Sequence, residues 1–197
     1  MNRRIAFFDF DGTITTKDTL LEFVKHSKGA ARFYLGFLLT SPWMVAYKLK
    51  VISNQKAKEK FLRYFFHNYP IKKFETLCDA FAEEAIPPLI RPKALTEIAR
   101  LRQAGAEVVI VSASPENWIR PWADKMEVKL LSTRLVIKDD RLTGRIMDRN
   151  CHGEEKVRRI KEAYDLADYD EVYAYGDTKG DLPMLKLAKI SFYKPFL

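Results

Sequence analysis

The chain has 197 residues, 47% of them hydrophobic and 30% charged, which is enough for one packed domain with a modest insertion but not for two large domains. Eight Gly and nine Pro exclude a collagenous or linker-dominated chain. The 34 Lys plus Arg against 26 Asp plus Glu give a formal charge of +8, which favours anionic partners without naming one. The two cysteines, Cys78 and Cys151, suit neither a disulfide scaffold nor a metal-ligand pair and read as reduced thiols of a cytoplasmic protein.

In chain order, Arg4 to Phe8 reads as a short buried strand ending in an acidic loop, DFDGT. Those few apolar residues are too short for a signal-peptide core, and the uncharged stretch Phe33 to Tyr47 is too short to span a bilayer. Helices are expected over Leu20–His26, Ala31–Leu49 with a break near Pro42, Asn54–Phe66 and Ile71–Ile86. After the breaker PPLIRP come a helix over Ala94–Gln103, a buried strand over Glu107–Ser112 and a helix over Pro115–Lys125. A strand near Val128–Leu131 follows, then a hairpin of Leu135–Lys138 and Leu142–Met147 turning at Asp139-Asp140. Helix Glu154–Leu166, strand Glu171–Tyr175, helix Lys179–Leu187 and strand Ile190–Phe192 complete the pattern.

Such alternation implies an α/β fold: a Rossmann-like, mostly parallel sheet with helices on both faces. Residues 1–14 and 90–197 would form this core and residues 15–89 an inserted all-helical cap. Residues 15–90 carry twelve Lys or Arg against seven Asp or Glu, and 13 of the 25 aromatic residues, so the insertion is basic and aromatic-rich.

Ligands of open parallel sheets bind beyond the carboxyl ends of the strands. Three ends stand out: Asp9-Phe10-Asp11-Gly12-Thr13, Ser112-Ala113-Ser114-Pro115, and Gly176-Asp177-Thr178-Lys179-Gly180-Asp181. Taken singly, each acid is a turn or helix cap; together they bring four carboxylates and a hydroxyl to one place. Such a cluster holds protons or a cation, and oxygen donors without nearby Cys or paired His select Mg²⁺ over zinc. A metal-held phosphate is the natural guest, since the cation offsets repulsion between two anions.

The segments DFDGT, VSAS, a helix-borne Lys156 and GDTKGD, in that order, resemble the four motifs of the haloacid dehalogenase superfamily of phosphotransferases. The resemblance implies that Asp9 is the nucleophile, forming an aspartyl-phosphate, and also a ligand of Mg²⁺. Asp11 would be the general acid and base, beginning protonated, with its backbone carbonyl on the metal. Asp177 would complete the metal site, with Asp181, Gly12 and Ala113 supporting the metal or phosphate. Ser112 would bond the transferring phosphoryl group and Lys156 would neutralise it, in preference to His152, which also lies near the start of that helix.

An acid at position 11 is similar to the phosphatase and mutase branches. The insertion resembles the lid of phosphoserine phosphatase and related enzymes, yet the shorter Asp18 stands roughly where the phosphoserine enzymes carry a glutamate. The expected function is hydrolysis of a phosphomonoester of a small soluble metabolite. The alternative is a lipid phosphate such as phosphatidylglycerophosphate, cleaved at the membrane surface; phosphoserine phosphatase, phosphomutase and nucleic-acid binder rank lower, and no nucleic-acid partner is expected. The stretch RFYLGFLLTSPWMVAYKLKVI, with basic residues nearby, fits peripheral contact with an anionic membrane, although the favoured reading packs its apolar residues inside the cap. Along the next helix, Phe61, Leu62, Phe65 and Phe66 share one face, with Lys56, Lys60 and Arg63 opposite.

Overall fold

The computed structural model describes residues 3–197. Seven strands form one sheet: β1 (Arg4–Phe8), β2 (Tyr69–Pro70), β3 (Ala106–Pro115), β4 (Lys129–Lys138), β5 (Arg141–Met147), β6 (Glu171–Gly176) and β7 (Ile190–Tyr193). Their spatial order is β2-β5-β4-β3-β1-β6-β7. β1 lies at the centre, parallel to both β3 and β6, and Phe8 is level with Ile110 and Tyr175. That register sets the strand ends side by side. β4 and β5 form the antiparallel hairpin, turned by Asp139 and Asp140, both with positive φ.

Eight helices accompany the sheet: α1 (Thr19–Lys28), α2 (Ala30–Lys48), α3 (Asn54–Phe66), α4 (Ile71–Ala80), α5 (Pro92–Gln103), α6 (Glu116–Lys125), α7 (Glu154–Ala163) and α8 (Leu182–Leu187). Side chains alternate across β1, as pleating requires. Ala6 and Phe8 join Val108, Ile110 and the apolar faces of α5 and α6 on one side. Ile5 and Phe7 join Val109, Val111, Val172 and residues of α7 and α8 on the other. A strand buried on both faces explains the unbroken apolar run before Asp9.

The helices between β1 and α5 share the first of these cores. Phe23 of α1 stacks on Trp118 of α6 with ring centres 4.6 Å apart, and meets Phe66, Phe74 and Phe81 edge-on or tilted. Phe61, Leu62 and Phe66 give α3 the buried face that its spacing predicts, and Lys56, Lys60 and Arg63 are exposed.

The insertion is not wholly helical, because Tyr69–Pro70 within it pairs antiparallel with Arg141 and Leu142 of β5; three further differences from the sequence reading have clear physical causes. α2 runs through Pro42 without a break: proline removes the N–H that would serve the Leu38 carbonyl, and the Ser41 hydroxyl donates to that carbonyl instead at 2.7 Å. The expected gap inside β4 does not exist, because the polar pair Ser132-Thr133 is buried, and Thr133 Oγ1 donates to Asn150 and accepts from Cys151 N. The apolar residues of α2 are mostly not packed inside: only Phe33, Gly36 and Thr40 of this helix are buried.

A shared core makes the chain one cooperative unit. Phe23→Ala is expected to cost about 3–5 kcal/mol and to lower a single transition seen alike by circular dichroism and tryptophan fluorescence. Two separate transitions would show that the helical segment melts by itself.

Candidate active site

Asp9 follows β1 directly, and its backbone N–H continues the parallel ladder by donating to Tyr175 O at 2.9 Å. Its side chain is therefore fixed by the central pair of strands. The loop then turns back at Gly12, where φ is +88° and an added Cβ would stand 2.5 Å from Asp177 Oδ2, so both conformation and space call for glycine. Asp177 and Asp181 follow β6. A capping box with Thr178 holds Asp181, whose Oδ2 accepts from the Thr178 N–H and hydroxyl at 2.9 and 2.7 Å.

Lys156, in the first turn of α7 and 1% exposed, donates to Asp9 Oδ1 at 2.6 Å and to Asp181 Oδ1 at 2.7 Å. Burial pushes the Asp9 carboxyl up to about 7, against the pull of Lys156 and with the added push of Asp181 and Asp11. Burial also works against the Lys156 ammonium, but Asp9 and Asp181 outweigh it and hold its pKa above the ordinary value. Desolvation is likewise overcome at Asp181, which Lys156 and the Thr178 donors keep below the carboxylate range.

One oxygen from each of Asp9, Asp177 and Asp181 lies within 4.8 Å of the others. Thr13 Oγ1 stands 3.0 Å from both Asp9 Oδ2 and Asp177 Oδ1. A hydroxyl has one proton, so one of those oxygens faces a lone pair and needs a proton or cation of its own. The donor set is all oxygen, and these residues fit a hard divalent cation.

The Asp11 side chain lies outside this cluster. Its Oδ1 accepts from Thr19 N and Thr19 Oγ1 at 2.7 and 2.5 Å, and its Oδ2 accepts from Ser112 Oγ at 3.1 Å. Ser112 is fully buried, and its hydroxyl also takes the Ser114 N–H. The neighbouring cavity wall is made by Ala113 and Ser114. His152 sits on the same cavity, where burial, then Lys156 and Lys58, hold its imidazole below the ordinary value. The ammonium that touches Asp9 is that of Lys156.

The cavity measures about 460 Å³ and is bounded on one side by Asp9, Asp11 and Lys156. Leu20, Phe37, Met44, Tyr47 and Phe61, all from the helices after β1, make its apolar wall. Two residues that sequence reasoning missed connect those helices to the strand ends. Lys58 donates to Ala113 O at 2.9 Å and to Asn150 Oδ1 at 3.3 Å. Thr19 ties Asp11 to α1 and receives Trp118 Nε1 at 3.2 Å.

A buried carboxylate at the tip of the central parallel strand is thus ion-paired to a lysine from another crossover helix. The chain belongs to the haloacid dehalogenase-like hydrolase family, whose model matches residues 6–186. Protein CicA of Caulobacter vibrioides is 38% identical over 194 residues, covering 98% of this chain and 86% of the relative. Rv3661 of Mycobacterium tuberculosis, described as a probable phosphatase, is 27% identical over 190 residues, covering 93% of this chain and 66% of the relative. Among solved structures, a phospho-aspartyl intermediate analogue of phosphoserine phosphatase superposes with a TM-score of 0.71 at 18% identity, covering 98% of this chain and 87% of that one. At that identity the likeness is one of fold.

Lys156→Met would leave Asp9 and Asp181 buried without their counter-charge, an expected loss of about 3–5 kcal/mol near pH 8. Asp9, already raised, rises further in the variant, so the folded state binds a proton that the unfolded chain does not. Stability of the variant then increases as pH falls from about 8 toward the ordinary carboxylate range. Melting temperatures in chelator should recover in part near pH 5; a deficit independent of pH would contradict this electrostatic account.

Proposed function

We propose that the chain is a magnesium-dependent phosphomonoester phosphatase in which Asp9 receives the phosphoryl group. The observation that carries this reading is the Lys156 ammonium buried between Asp9 and Asp181, with Asp177 beside them. With all three carboxylates ionised, the cluster and its ammonium would carry two negative charges, which suits a divalent ion held by Asp9 and Asp177 with Asp181 in support. Such an ion, when bound, neutralises phosphate oxygens and lets one anion attack another.

In the first step the Asp9 carboxylate attacks phosphorus and the ester P–O bond breaks, giving an aspartyl-phosphate. Asp11, held in place by Thr19 and Ser112, acts as the general acid toward the departing alkoxide. Asp11, now ionised, takes a proton from water as the water attacks phosphorus. Phosphate leaves and Asp9 is restored. Lys156 keeps Asp9 oriented and limits its protonation throughout. The name of the Mycobacterium tuberculosis relative agrees with this activity.

The apolar wall supports an alcohol with a hydrophobic body rather than an amino acid. Asp18 Oδ1 accepts from Leu20 N and Leu21 N as the cap of α1, and the residue borders the cavity. A phosphate carried on an apolar chain is the second reading, favoured by Phe37, Met44 and Tyr47 in the wall.

Phosphate release from p-nitrophenyl phosphate tests the chemistry. Activity should require added Mg²⁺, vanish with EDTA, return on re-addition, and fall about 1000-fold or more in Asp9→Asn. Turnover that persists in EDTA or in Asp9→Asn would overturn it.

A further inference from the structure

α2 touches α3 through the narrow stripe of Phe33, Gly36 and Thr40, and a Cβ at Gly36 would overlap the Phe65 ring. At about 100° per residue, Tyr34, Leu35, Leu38, Val45 and Leu49 fall on the opposite side of the helix. They are 53–70% exposed, where a surface helix ordinarily carries polar groups. A contiguous patch of this kind marks an interaction surface.

Cations border the patch along its α3 edge, at both ends of the seam between the two helices. Lys28 and Arg32 line a hollow with Leu35 and Tyr64. Lys56, Lys60, Arg63 and Arg145 line another with Trp43 and a single acid, Glu59, and the Lys60 ammonium stands 4.6 Å from the Trp43 ring centre. No acidic residue occurs between Glu22 and Glu59.

We propose that α2 lies flat in the headgroup layer of an anionic lipid bilayer, with its apolar face in the acyl boundary and the flanking cations on lipid phosphates. A bilayer matches both features at once, being apolar beneath and anionic all round. A second copy of the chain would set like charges against each other along the same seam. No helix among the described residues is long and apolar enough to cross a membrane, so α2 rests on the surface. The same helix lends Phe37, Met44 and Tyr47 to the cavity wall. The docking itself does not depend on the proposed chemistry.

Co-sedimentation of the full chain with phosphatidylcholine vesicles, with and without about one-third phosphatidylglycerol, tests it at about 50 mM salt. The chain should pellet with the anionic vesicles only and return to solution as salt is raised. Leu38→Glu/Leu49→Glu and, separately, Lys56→Glu/Lys60→Glu should each lower binding about tenfold or more while keeping the wild-type melting temperature. Wild-type protein left in the supernatant would overturn the proposal, as would a Leu38→Glu/Leu49→Glu variant that binds as wild type. A vesicle-indifferent dimer abolished by Leu38→Glu/Leu49→Glu would assign the face to a second copy instead.

Discussion

A single ammonium group holds the strand-end cluster together. Lys156 enters from α7, far from β1 in sequence, and ends within hydrogen-bonding distance of carboxylates that follow two adjacent strands. Without a positive charge in so dry a site, Asp9 and Asp181 would repel each other and bind protons. With it, Asp181 stays ionised below the ordinary range, while Asp9 remains poised because burial still works against its charge. The parallel register of β1 with β6 makes this bridge geometrically short.

The helices after β1 are tied to this centre at specific points. Thr19 bonds the carboxylate of Asp11, and Lys58 bonds the carbonyl of Ala113. Both contacts join the inserted segment to loops at the strand ends, while Phe23 and Trp118 join the two through the core. Under the proposed chemistry, the residues that choose the leaving group and the residues that transfer phosphate are therefore mechanically linked.

Much of the sheet was legible because fully buried strands write themselves as short apolar runs: RIAFF and EVYAY stand within a residue of their observed limits. The acidic motifs were legible because a short loop after such a strand has few other ways to spend two aspartates and a glycine. Contacts between distant segments were not. Nothing local announces that Thr13 sits between Asp9 and Asp177, that Thr19 serves Asp11, or that Lys58 turns inward while Lys56 and Lys60 face water. β4 failed for a related reason, since Ser132-Thr133 reads as a polar break until Asn150 and Cys151 are brought against it. In α2, hydrophobicity alone could not say which side is covered, and the tertiary structure leaves the larger side open.

The most direct measurement of the central claim is acid quench during turnover, followed by borohydride reduction and peptide mass spectrometry. A phosphoryl group on the first aspartate of the DFDGT loop would be reduced to homoserine at position 9, and the account predicts that conversion in the wild-type chain but not in Lys156→Met. Phosphate recovered on Ser112 or His152, or turnover with Asp9 never modified, would contradict it.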